Sequence, residues 1–313
     1  MIMSQVIYSA LRDANPEVHI DVLAPAATVS LVRRMAEVDR GILIDQKHGQ
    51  FGFGYRRRLG RQLAAEQYDQ AIVTPNSLKS ALVPVFAGIP KRTGFLGEYR
   101  YYLLNDIKFL DKKRLPLMTD RFLTLVEKTG DEMTRPSLMV DEENQRSLIV
   151  ELELDTGGPV TAFCPGAEYG EAKKWPDHHY AELGRMLVES GQQIWLFGSP
   201  ADTETGAAIR EQIGEGCIDL TGRTSLVDVI DLLSLCTRVV TNDSGLMHIA
   251  AAVGVGVTAI YGSTSPGFTP PLTDRAEIVS LNLDCSPCFR RVCPLGHTDC
   301  LRQLTPDMVR AIM

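Results

Sequence analysis

From residue 160 onward, short apolar runs rich in β-branched residues alternate with amphipathic stretches. The runs predict strands over 160–164, 193–197, 217–220, 238–241, 257–261 and 277–281. The stretches between them predict helices over 177–190, 202–213, 226–235 and 245–253. Apolar strands separated by amphipathic helices indicate a parallel sheet covered on both faces. The first half repeats the rhythm, with strands expected over 18–23, 41–44 and 69–74 and helices over 3–15, 28–35, 55–66 and 78–87. A charged helix and a Gly-Gly-Pro break, "DEENQRSLIVELELDTGGP", place the boundary within 141–159. Two doubly wound α/β domains, 1–150 and 151–313, are therefore expected to face each other across a cleft, with ligands at the strand C-termini.

The start breaks the pattern. "MIMSQVIYSALRDANPEVHIDVLAP" opens with the helix and reaches a strand only near Val18, so the strand that normally seats such a helix is expected to be missing.

Composition narrows the class. A chain of 313 residues, 44% hydrophobic and 23% charged, describes a globular protein with a sizeable core. There is no apolar run of membrane-spanning length and no signal-peptide layout, which points to the cytoplasm. A net charge of −7 argues against a nucleic-acid binder. The charge is uneven: residues 1–150 carry 21 Lys+Arg against 18 Asp+Glu, net +3, and residues 151–313 carry 11 against 21, net −10. The first half is the one suited to an anionic partner.

Candidate chemistry lies at the strand exits. "VVTNDSGLMHIAAAVGVGVTAIYG" ends a strand in Asn242, Asp243, Ser244 and Gly245 and leads at once into a helix. Asp243 or Ser244 would cap that helix, and Gly245 would let an anion approach its first free N–H groups. His248 would reach the same phosphate or a sugar hydroxyl. Capping alone, with a core histidine, explains the same residues. "CPGAEYGEAKKWPDHHYAEL" carries Lys173 and Lys174 in a strand-to-helix loop, with Asp177 expected to cap the helix. A lysine there would neutralise a diphosphate as a point charge. "LFGSPAD" and "LTGRTSL" are two further exits with Gly and Ser or Thr. Four such loops on one sheet edge favour a nucleotide site. "GVGVTA" matches G-x-G-x-x-A but lies between a helix and a strand, the wrong order for a dinucleotide fingerprint, and "GFG" at Gly52–Gly54 follows no strand.

"PGAEYGEAKKWP", "LFGSPAD", "LTGRTSL" and "TNDSGLMHIAAA" together closely resemble the ADP-heptose:lipopolysaccharide heptosyltransferases of glycosyltransferase family 9. "PNSLKSALVPVFAGIPKRTGFLGEYRYYLLND" looks most like the heptosyltransferase II branch. The resemblance covers nearly the whole chain. It implies a GT-B fold of two Rossmann-like domains, with the nucleotide-sugar donor on the second and the acceptor on the first. Carried over by position, Lys173 would contact the donor diphosphate. Asp243, Ser244, Gly245, Leu246 and His248 would hold the phosphates and heptose, and Ser199 and Thr224 would line the adenosine pocket. Asn76, Lys79, Arg92 and Arg100 become candidates for a phosphorylated core acceptor, each equally readable as ordinary surface. The family's general base is an Asp in a Gly-Asp pair just before the first helix. Met1 to Gln5 match the residues after it, so the base is expected to be absent, and Asp13, near the far end of the helix, does not replace it.

Three cysteines, Cys164, Cys217 and Cys236, lie in apolar segments and read as buried thiols. Cys285, Cys288, Cys293 and Cys300 form C-x2-C-x4-C-x6-C with His297 inside, a pattern open to a structural zinc, to reduced thiols or to disulfides. The resemblance thus implies heptose transfer from ADP-heptose to an anionic lipid A–core acceptor at the inner membrane's cytoplasmic face, without a catalytic metal. Another nucleotide-sugar transferase of the same fold, and a nucleotide-sugar-binding protein without catalysis, remain open as alternatives.

Overall fold

A computed structural model of the chain describes residues 1–46, 49–130 and 133–313, and these divide into two compact units. The second unit comprises Arg135–Met313 together with Ile2 and Ser30–Ala36. Its strands are β6 (Val160–Cys164), β7 (Gln193–Leu196), β8 (Cys217–Asp219), β9 (Arg238–Asn242), β10 (Gly256–Ile260) and β11 (Ala276–Val279). They form one sheet in the order β11-β10-β9-β6-β7-β8, every pairing parallel. All residues of β6 and β10 are buried, as expected of strands with helices on both faces. Phe163, Trp175, Tyr180, Ile194 and Leu196 are among the side chains that fill one face. Counted within the unit, the strand order is 3-2-1-4-5-6, so the chain reverses direction between β6 and β9. That crevice is where a doubly wound sheet binds its ligand.

The first unit comprises Met3–Val29 and Glu37–Thr134, with Met1. Its strands are β1 (Asp21–Pro25), β2 (Arg40–Ile44), β3 (Gln70–Val73), β4 (Lys91–Phe95) and β5 (Asp106–Lys108). They form two parallel sheets, β1-β2 and β3-β4-β5, where one was expected. Strands β4 and β5 were not anticipated. The chain's first helix, Gln5–Ala14, buries Gln5 and Ser9 along with its apolar residues, and both side chains bond the Glu37 carboxylate.

The boundary falls at Thr134/Arg135, earlier than expected. The reason is the helix Glu142–Glu151, which belongs to the second unit. Asn144 donates to Asp231 and Asp228 of the helix Leu226–Leu233, and Gln145 donates to the Asp231 carbonyl and to Ser234. Arg34 joins the same buried Asp231 at 2.7 Å. Among the described residues no helix is long and apolar enough to cross a membrane.

Candidate active site

The site grows from one buried carboxamide. Asn242, the last residue of β9, accepts from the Trp175 backbone N–H at 3.0 Å and from the Tyr180 hydroxyl at 3.2 Å, and donates to the Pro165 carbonyl at 2.6 Å. Both ends of the loop that leaves β6 are thereby tied to β9 across the reversal point. The loop then has little choice about where Lys173 goes. Its ammonium lies 2.7 Å from an Asp243 carboxylate oxygen and 3.2 Å from the Asp243 carbonyl, with the side chains only 13% and 6% exposed. The neighbouring Lys174 pairs instead with Glu171 on a more exposed surface. Of the two lysines the sequence offers, one belongs to the crevice.

The helix Gly245–Ala252 begins beside that pair. Ser244 stands at its N-cap position, yet no side chain makes a capping bond. The expected cap by Asp243 or Ser244 is not made: Asp243 is engaged by Lys173, and the Ser244 hydroxyl lies 3.3 Å from that of Thr241. The first-turn N–H groups, which no helix can satisfy internally, are therefore left for a ligand. Nothing stands within 4 Å of where a Gly245 Cβ would be, so that face is open. Leu246 and His248 lie half-buried on the same helix. Burial pulls the His248 imidazole down to about 4, against the opposing pull of the Asp243 carboxylate, so the ring is neutral at pH 7.

At the exit of β7, the Ser199 hydroxyl donates to Asp202 at 2.7 Å and the Ser199 N–H to the same oxygen at 2.9 Å. A Cβ at Gly166 or Gly198 would fall within 2.8 Å of Asp202, which explains glycine at both exits. At the exit of β8, Thr224 has a buried hydroxyl with no hydrogen-bond partner. Thr264, beyond the exit of β10, carries another. It is not among the expected residues, although "YGSTSP" carries the same signal of small polar residues after an apolar run. Asp177 does not cap its helix; Pro176 holds that position, and Asp177 begins the first turn.

The acceptor candidates separate. Arg100 is 1% exposed, and its guanidinium donates to the carbonyls of Phe95, Pro75 and Ser77 and to the Ser80 hydroxyl. It ties strand exits together and is not available to an acceptor. Arg92, half-buried, donates from Nε and one terminal nitrogen to the carbonyls of Leu103 and Ile89. Asn76 and Lys79 follow β3, Asn76 exposed and Lys79 half-buried with a bond to the Gln50 carbonyl.

Cys285, Cys288, Cys293 and Cys300 line a single small cavity. Among the described residues, no group of three or more His, Cys, Asp or Glu side chains is set, as it stands, to hold a metal ion.

A family model described as glycosyltransferase family 9 (heptosyltransferase) matches residues 56–299. Lipopolysaccharide heptosyltransferase 2 of Escherichia coli (strain K12) is 42% identical over 322 residues, spanning 99% of this chain and 92% of that protein. Lipooligosaccharide heptosyltransferase 2 of Haemophilus influenzae is 46% identical over 296 residues, spanning 90% and 85%. The solved structure of the E. coli ADP-heptose lps heptosyltransferase II superposes with a TM-score of 0.87 at 41% identity, covering 99% of this chain and 93% of that one. A family 9 glycosyl transferase from Veillonella parvula superposes at 0.89 with 21% identity, a likeness of fold.

Proposed function

The chain belongs to glycosyltransferase family 9, with the GT-B fold of its members, and we propose from that premise that it moves heptose from ADP-heptose to the heptosyl-Kdo2-lipid A inner core of lipopolysaccharide. The carrying observation is the Lys173–Asp243 pair beside an uncapped helix start at the sheet's reversal point. In the transfer, an acceptor hydroxyl oxygen attacks the anomeric carbon from the face opposite ADP. The bond from that carbon to the diphosphate oxygen breaks, and its electron pair leaves with ADP. The attacking oxygen gives up its proton to solvent or to a base as the new bond forms. Negative charge therefore grows on the diphosphate. Lys173 and the first-turn N–H groups of Gly245–Ala252 meet it with fixed positive potential, which needs no reorganisation during the reaction. In this reading Lys173 and the helix start take the place of a metal. The neutral His248 ring offers a hydrogen bond to a phosphate or sugar hydroxyl.

The first unit fits the anionic, lipid-linked acceptor. Tyr99 and Tyr102 leave β4, and Phe109 leaves β5, at the C-terminal ends of two paired parallel strands. These rings are 88%, 95% and 75% exposed. Lys112, Lys113 and Arg114 follow at the surface. Aromatic rings with adjacent cations suit the interface of an anionic bilayer. Sedimentation with anionic vesicles should capture the chain, and vesicles of neutral lipid should not.

Transfer assays with a panel of nucleotide sugars and heptosyl-Kdo2-lipid A test the reading. ADP-heptose should be consumed with release of ADP. Turnover with another nucleotide sugar alone would reassign the donor, and tight ADP-heptose binding without turnover would make the chain a binding protein.

A further inference from the structure

The segment between β11 and the last helices is ordered without a core. From Leu281 to Cys300 no residue is buried, no strand forms and a helix begins only at Asp299, while Val292 and Leu295 point outward at 73% and 61% exposure. A stretch that buries so little apolar surface needs another staple. Its four cysteines, none of them disulfide-bonded, all line one cavity of about 20 Å³, room for a single atom-sized occupant. Ser263, 1% exposed, faces the same cavity with a hydroxyl that has no hydrogen-bond partner.

The segment also touches the phosphate-binding loop. The Tyr169 hydroxyl donates to the Phe289 carbonyl at 2.9 Å, and the Ala172 N–H to the Arg291 carbonyl at 3.1 Å. The Tyr169 ring has the Lys173 ammonium 4.8 Å from its centroid and the Arg291 guanidinium 5.3 Å from it. A Cβ at Gly170 would come within 2.5 Å of the Arg291 carbonyl oxygen, so the two chains meet at backbone distance there. On its other side the segment is held by the Phe289 N–H, which donates to the Ser263 carbonyl at 2.7 Å.

We propose that Cys285, Cys288, Cys293 and Cys300 close on one thiophilic divalent ion of the zinc or ferrous class, and that the segment so fixed positions the loop bearing Lys173. As placed the four sulfurs are not set to coordinate an ion; each turns about a single side-chain bond, and binding requires them to rotate among staggered positions. Four thiols release four protons as the ion binds, giving a tetrahedral tetrathiolate. Four soft sulfurs select zinc or iron over calcium or magnesium.

The metal half stands by itself; the positioning half rests on ADP being the donor nucleotide. Elemental analysis of protein purified without chelator should show about one zinc or iron per chain. The paired substitution Cys285→Ser with Cys300→Ser should abolish that metal. Should the variant fail to fold, chelator stripping of the unaltered chain followed by cobalt should restore the site with intense thiolate-to-cobalt absorption. A folded, metal-free chain with four reactive thiols, or with disulfides by mass, overturns the site, as does metal content indifferent to the substitutions. Stripping should weaken ADP roughly tenfold, the scale of one lost charge-assisted contact, and leave adenosine unchanged. Equal losses for both ligands, or none for ADP, overturn the positioning role.

Discussion

The two units solve the same folding problem differently. The second carries six parallel strands in one sheet, with β6 and β10 wholly buried and Lys173 paired to Asp243 where the chain reverses. The first divides five strands between two sheets, and β2, β3 and β5 are largely half-exposed. What the first unit lacks in sheet continuity it partly replaces with polar ties. Arg40 pairs with Asp21 and Glu66 to hold β1 and β2, and Arg100 gathers the exits of β3 and β4. The second unit rests chiefly on one continuous buried core, and the first adds a few arginines to smaller ones. The phosphate site proposed here lies on the former, and the surface proposed for the lipid-linked acceptor on the latter.

The largest effect should come from breaking the first unit's main tie. Arg100→Ala strands several buried carbonyls and empties a packed volume, at a cost of about 3 kcal/mol or more. Arg100→Lys should not rescue it, because an ammonium cannot span the fork of acceptors. Hydrogen exchange should accelerate across β3–β5 while β6, β9 and β10 stay protected, and ADP affinity should hold. Loss of protection in both units together would show that burial and polar ties are not separable in this way.

Next comes the donor site. Lys173→Ala should weaken ADP by about 1.5–3 kcal/mol, the range for a lost charge-assisted bond, and adenosine far less. Lys174→Ala should change neither ligand, because its ammonium serves Glu171. Calorimetric titration of both ligands against both variants gives the answer; equal weakening of ADP and adenosine would remove Lys173 from the phosphates.

What was legible in the sequence follows the same division. Strands buried on both faces, such as β6 and β10, leave unbroken apolar runs, and β6 to β11 were readable to within a residue or two. The strand exits proposed to hold the donor were legible as exits because small polar residues directly follow those runs. In the first unit, β4 begins Lys-Arg and β5 has three residues, Asp-Ile-Lys, too little apolar periodicity to register. Arg100 misled for a physical reason: an arginine in a polar stretch reads as surface, and the carbonyls that bury it come from as far back as Pro75. The boundary shifted because the charged helix Glu142–Glu151 answers to Asp231, nearly ninety residues on, a partner that no local pattern announces.

A smaller effect should appear in acid. The unfolded His248 ring titrates near its ordinary 6.5, whereas the folded ring is held down to about 4, chiefly by burial. Between those values the unfolded chain binds a proton that the native state refuses. This contribution is therefore fully present above pH 6.5 and is lost as pH falls toward 4. His248→Gln should flatten that part of the second unit's denaturant midpoint against pH. An unchanged slope would mean that other groups carry the acid sensitivity.

The smallest effect tests whether the second unit's site is shaped for a ligand or merely packed. Thr224 holds a buried hydroxyl with no partner, and such a group costs stability that its removal should return. Thr224→Val keeps the shape and deletes the hydroxyl. If the hydroxyl waits for the nucleoside, the ligand-free protein should melt at the same temperature or higher, while adenosine and ADP both weaken by about 1 kcal/mol, one neutral hydrogen bond. Lys173→Ala separates the two ligands; Thr224→Val should not. Unchanged adenosine affinity, or a clear loss of stability without ligand, would place Thr224 in the fold's own packing and move the nucleoside pocket away from the exit of β8.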